Sequence, residues 1–143
     1  MKAKFILISL LILIINTANA QEWEQAFKVT ASGRSASDLF GEVAISGEYA
    51  IVGARSGQGN AYIFKNNNGV WSETQIISIP EGDYKPGFGK TVDISGNYAI
   101  IGNSEESKDA NGENELNDAG AAYIYYNNGG TWEFVQKIVA SDR

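Results

Sequence analysis

The chain has 143 residues, 17 acidic and 11 basic, with no His and no Cys, for a net charge of −6. That length fits one domain, and the acidic balance argues against nucleic acid, whose phosphates need clustered Lys and Arg. Without His and Cys the commonest general base and a strong nucleophile are missing, and no disulfide can form, so stability must come from packing.

Residues 1–20, MKAKFILISLLILIINTANA, stand apart. Lys2 and Lys4 precede an apolar run of eleven residues, Phe5 to Ile15, and Ala18-Asn19-Ala20 closes the segment. A basic start, a short apolar core and an A-x-A end predict a secretory signal peptide. A membrane anchor is the other reading, but spanning a bilayer takes roughly 20 apolar residues. Cleavage after Ala20 leaves 123 residues and moves the net charge to −8.

The rest of the chain repeats itself. Trp23, Trp71 and Trp132 are 48 and 61 residues apart. Phe40-Gly41 recurs as Phe88-Gly89, and Ala61-Tyr62-Ile63-Phe64 as Ala122-Tyr123-Ile124-Tyr125. Sixteen Gly against two Pro, with seven Tyr and six Phe, suit strands joined by tight turns.

Residues 23–29, from Trp23 to Val29, predict an N-terminal outer strand. The first full repeat runs from Phe40 to Ile77 and the second from Phe88 to Ile138. In each, the first strand is Val43-Ala44-Ile45 or Val92-Asp93-Ile94, with its two β-branched residues on one face. Ser46-Gly47 and Ser95-Gly96 make the turn. The second strand, Tyr49 to Val52 or Tyr98 to Ile101, is apolar throughout and reads as buried on both faces. The third is Ala61 to Phe64 or Ala122 to Tyr125. Asn-Gly turns follow at Asn68-Gly69 and Asn128-Gly129. The fourth starts at Trp, and even spacing places Trp71 with Ile77, and Trp132 with Ile138, on one face.

Four antiparallel strands in a unit of about fifty residues, repeated, predict all-β propeller blades. The fold class is therefore two four-stranded blades plus an N-terminal outer strand, part of a larger propeller. A β-sandwich explains the strands but not their ordered repetition.

FGEVAISGEYAIVGA, FGKTVDISGNYAIIGN, GNAYIF, GAAYIY and WEFVQKIVASD resemble the FG-GAP repeat family over residues 23–143. The family is known from the integrin α-subunit propeller and from exported bacterial proteins, and this chain looks most like the bacterial type. The resemblance implies an extracellular or cell-surface binding role. In the integrin version a calcium loop joins the first two strands of a blade. Here Ser46-Gly47-Glu48 and Ser95-Gly96-Asn97 are too short to wrap a cation that takes about six to eight oxygens, so that site does not carry over. The Gly-Ala-Pro element is also incomplete, reading Gly53-Ala54-Arg55 and Gly102-Asn103-Ser104.

A propeller closes with about four to eight blades. The tail Ala140-Ser141-Asp142-Arg143 aligns with the connector Thr30-Ala31-Ser32-Gly33, so the repeat stops in mid-period. The missing blades come from a longer chain or from self-association into a ring. Stopping at a connector rather than a cap favours the first.

The repeats differ most in one loop. Seven residues, ARSGQGN, lie between Gly53 and Ala61, but nineteen between Gly102 and Ala122. The longer loop holds Glu105, Glu106, Asp109, Glu113, Glu115 and Asp118, with Lys108 its only base. Long loops on repeat scaffolds carry binding. Asp109, Asn111, Glu113 and Asp118 are weak calcium candidates; otherwise the loop, Glu105-Glu106 included, is solvated charge. No other cofactor is indicated. Asp93 is a candidate catalytic carboxylate for glycoside hydrolysis, or simply a core-edge acid held by backbone N–H groups. Trp71 and Trp132 suit packing between blades rather than sugar stacking, and Tyr84 and Phe88 suit anchoring of the connector.

The sequence thus predicts an exported, non-catalytic module that binds an extracellular protein or glycan, with no nucleic acid and no membrane span after cleavage. The alternatives are an accessory segment of a secreted polysaccharide-acting enzyme and a purely structural repeat.

Overall fold

The structure, a computed structural model, describes residues 24–33, 36–57, 59–80, 86–113 and 115–141. The leader expected at 1–20, Trp23 and Tyr84 lie outside the described residues.

Eight strands follow one another: β1 (Phe40–Ser46), β2 (Tyr49–Ala54), β3 (Asn60–Asn67), β4 (Val70–Ile77), β5 (Phe88–Ser95), β6 (Tyr98–Asn103), β7 (Ala121–Asn128) and β8 (Thr131–Ile138). They form two four-stranded antiparallel sheets in the order β1-β2-β3-β4 and β5-β6-β7-β8. No helix occurs among the described residues. The predicted all-β blades are present, open and partial.

Register follows the period-2 pattern. Val43 opposes Val52 and Ile45 opposes Ala50 in the first sheet. Val92 opposes Ile101 and Ile94 opposes Ala99 in the second. The Asn-rich turns close as hairpins, with Asn68 and Gly69 at φ 52° and 91°, and the Asn66 carboxamide accepts the Gly69 N–H at 2.6 Å. A second bond also recurs: Asn66 N–H donates to Glu48 O and Asn127 N–H to Asn97 O, both at 2.8 Å.

The sheets stack in the manner of a repeat. Ile51, Ile63 and Ile77 of the first pack against Phe88, Ile94, Ile101, Tyr123 and Trp132 of the second in one core. By repeat register, Ile101 and Tyr123 correspond to Val52 and Tyr62, which lie on the other face of the first sheet. Unlike faces therefore meet, as in successive blades, whereas a two-sheet sandwich would be closed by like faces turned inward.

At this junction the two backbones nearly touch. Gly89, at φ +82°, leaves no room for a Cβ, which would fall 2.3 Å from Asn60 O; a Cβ on Gly53 would fall 2.0 Å from Gly89 O. The Gly of the Phe-Gly phrase is thus a blade-contact residue in the second repeat. Phe88, fully buried, fills the space beside it and meets Tyr123 edge-on at 5.3 Å.

Three expectations need correction. First, Trp71 and Ile77 do not share a face. A bulge leaves Thr74 unpaired, since Phe64 opposes Glu73 while Ile63 opposes Gln75. The extra residue reverses the alternation, so Trp71 packs with Phe64 and Ile77 with Ile63. Val135 does the same in the second blade, leaving Trp132 at 2% exposure and Ile138 at 42%. Second, no described residue of the outer strand expected at 23–29 is in a strand. With no further sheet to pair with among the described residues, Val29 and Ala31 instead pack onto Val52, Tyr62 and Phe64. Third, β6 is not buried on both faces. Ile51 of β2 is fully buried, but its counterpart Ile100 is 41% exposed because no sheet among the described residues covers that side.

Gly89→Ala places a Cβ in the left-handed region, a cost of roughly 1–2 kcal/mol, and drives it into backbone. The expected loss of unfolding free energy is about 3 kcal/mol, measured by urea denaturation. Gly41→Ala, with nothing within 4 Å and φ outside the left-handed range, should change stability by less than about 0.5 kcal/mol.

Candidate functional site

The nineteen-residue loop leaves β6 at Asn103 and returns into β7 at Ala121. It is a folded excursion. Lys108 and Glu115 form an isolated antiparallel bridge. Leu116 N–H donates to Ser107 O at 2.7 Å and Gly120 N–H to Glu106 O at 2.9 Å, closing the neck. The Asn103 carboxamide oxygen accepts the Glu105 N–H at 3.0 Å and turns the chain out of β6. Its Nδ2 is buried without a hydrogen-bond partner among the described residues.

Glu106 anchors this loop, against the expectation of a solvated acid. Its side chain is fully buried. One carboxylate oxygen accepts the Lys108 N–H at 2.8 Å and the other the Tyr123 hydroxyl at 2.7 Å. Lys137 Nζ, also buried, lies 3.5 Å from the first oxygen and 5.7 Å from the centre of the Tyr123 ring. A buried carboxylate needs such company, because desolvation costs more than a bare charge recovers. The sequence carries a signal for it. Tyr123 opposes Lys137 where Tyr62 of the first blade opposes Ile76, and a Lys that replaces an apolar residue and becomes buried calls for a nearby anion.

The weak calcium candidates do not converge. One Asp109 oxygen accepts both the Asn111 and Glu113 N–H groups at 3.0 Å, forming a local turn. Asn111, Glu113 and Asp118 are exposed. Asp118 is on the returning arm, where its N–H donates to Ser107 Oγ at 3.1 Å. No group of three or more His, Cys, Asp or Glu able to hold a metal occurs among the described residues.

Beside the loop lies a small cleft of about 290 Å³ bordered by Arg55, Ser56, Gly57, Pro86, Lys90 and Glu105. Lys90 Nζ donates to Ser104 Oγ at 2.9 Å, and Arg55 O accepts the Gly87 N–H at 3.2 Å. The cleft thus joins the short loop of the first blade, the connector and the base of the long loop. On the first blade, burial and then the charges of Asp38 and Glu73 raise the Tyr62 phenol above its ordinary value.

Asp93 is far from this chemistry in register, at the middle of β5 opposite Ile100. It is exposed, and it accepts the Ile94 N–H at 2.8 Å. Trp132 meets Tyr49 of the first blade edge-on at 5.5 Å, the blade-packing role expected for it.

A family model for the FG-GAP repeat matches residues 23–64 and 71–125, about two thirds of the chain. No curated protein and no solved structure matches it.

Truncating Glu106 leaves Lys137 buried without its carboxylate. Glu106→Ala should lower unfolding free energy by about 3 kcal/mol. The double change Glu106→Ala with Lys137→Ile, which restores the first blade's residue, should recover most of that loss in a double-mutant cycle.

Proposed function

The chain belongs to the FG-GAP repeat family, and on that premise we propose that it is exported and serves as a non-catalytic extracellular or cell-surface binding and adhesion module. Its partner is an extracellular protein or glycan, met at the loop end of the second blade.

The long loop carries this reading. The two repeats share their strands and turns, so the scaffold by itself distinguishes nothing. The loop adds polar, acidic surface, and the buried Glu106 ties it to the scaffold. A rigidly seated polar loop on a regular sheet stack is a common way for repeat proteins to acquire a ligand. The leader pattern of residues 1–20 supports export. Among the described residues no helix is long and apolar enough to cross a membrane. A ligand approaching Asp109, Glu113 and Asp118 meets negative charge, with the cations Arg55 and Lys90 alongside, so polar or basic surfaces suit it better than polyanions.

Cell fractionation tests the first half: the protein should be found outside the cytoplasm with Gln21 at its N-terminus. Arrays of extracellular glycans and proteins test the second. Replacing residues 103–120 by ARSGQG, together with Lys137→Ile, should abolish binding while leaving cooperative unfolding intact. An uncleaved cytoplasmic chain, or full binding by the shortened chain, would overturn the reading. Polysaccharide hydrolysis lost in Asp93→Asn would make the protein an enzyme instead.

A further inference from the structure

The two sheets meet through unlike faces, and among the described residues each leaves a face of the opposite kind uncovered. The open face of the first sheet carries Val43 and Ile45, 66% and 65% exposed, whereas Ile94, in the register place of Ile45, is 5% exposed beneath the neighbouring blade. The open face of the second sheet carries Tyr98 and Ile100, 57% and 41% exposed. Their counterparts Tyr49 and Ile51 are packed into the blade junction.

The polar fittings of the junction are duplicated as well. Gln75 donates from Nε2 to Trp132 O, and its Oε1 accepts the Trp132 N–H, both at 2.8 Å, so one carboxamide grips the backbone of the next blade's outer strand. Tyr49 stands edge-on to the same Trp. Ser46 Oγ accepts the Gly96 N–H at 3.0 Å. In register, Gln136 takes the place of Gln75, Tyr98 of Tyr49 and Ser95 of Ser46, and all three are exposed on the open face or its rim. Trp71 takes the place of Trp132 on the opposite open face, half-buried beside an apolar cavity of about 510 Å³ lined with Phe27, Val29, Val43, Ile45 and Phe64.

We propose that these faces bind one another between copies: the Tyr98–Ile100–Gln136 face of one chain docks on the Val43–Ile45–Trp71 face of a second copy of the same chain. The contact is heterologous and repeats the junction inside each chain, so assembly proceeds head to tail. Gln136 grips the Trp71 backbone and Tyr98 stands against the Trp71 ring. The incoming β8 takes ground bordered by residues 24–28, which are exposed and hold no strand pairing, and these swing aside. One residue departs from the template. Asp93 stands where the first blade has Ala44, and its carboxylate must lose water as the faces close. The proposal concerns the blade faces and is independent of what the loop end binds.

Sedimentation of the purified protein across a wide concentration range should show reversible growth beyond the monomer. Ile45→Glu blocks the first face and Tyr98→Glu the second; both sites are mostly exposed, so circular dichroism should show both variants folded. Each variant alone should be monomeric, while their mixture should give a one-to-one pair, because each retains the face the other lacks. Gln136→Ala should weaken association by about tenfold, and Asp93→Ala should tighten it by a similar factor. A wild-type monomer at every concentration overturns the proposal. So does a variant that still self-associates, a mixture that fails to pair, or weaker association in Asp93→Ala.

Discussion

The close approach of Gly53 and Gly89 sets the geometry from which the rest follows. Two strands from successive sheets come within a distance that no side chain permits. That proximity allows Ile51 and Ile63 to reach Ile101 and Tyr123, and it brings Gln75 within hydrogen-bond reach of the Trp132 backbone. The Phe-Gly phrase combines a ring to fill the junction with a residue that leaves none of its own bulk there. In the first repeat the same phrase meets no sheet among the described residues. Gly41 accordingly faces open space. One sequence element is thus a contact in one place and a latent contact in the other.

This explains which parts of the fold are legible in the sequence. Strand identity and turns are local properties. Val-x-Ile alternation, Asn-Gly and the Ser-Gly turn each specify their conformation without reference to distant residues, and all are in place. Face assignment is not local. Thr74 and Val135 look like ordinary strand residues, yet each is bulged out and reverses the faces of the residues after it. Burial depends still more on neighbours. Ile51 and Ile100 occupy equivalent places, and only the presence of a second sheet separates full burial from substantial exposure.

The candidate site divides along the same line. Its location was legible because the two repeats differ there in length. Its internal order was not, because an acid-rich loop reads as solvated charge unless a partner is identified. That partner, Lys137, lies far along the chain and becomes conspicuous only when β8 is laid over β4 and a cation falls where Ile76 stood. A buried Lys without an anion is costly, and so is a buried Glu without a cation. The pair therefore requires both the long loop and the altered strand. Each would be unfavourable without the other.

Calcium chemistry, which the family resemblance brings to mind, meets two separate obstacles. The turn between the first two strands is too short to surround an ion. In the long loop, Asp109 spends one oxygen on two backbone N–H groups, while Asp118 is carried on the opposite arm. Acidic residues close in sequence have been used to shape a turn and a surface. The loop is tied to the scaffold by an ion pair built into the protein, between buried Glu106 and buried Lys137. That pair holds the loop's base against β7 and β8. The strength of that organisation is then set by packing beneath the loop, at Tyr123 and Phe88, where the two blades meet.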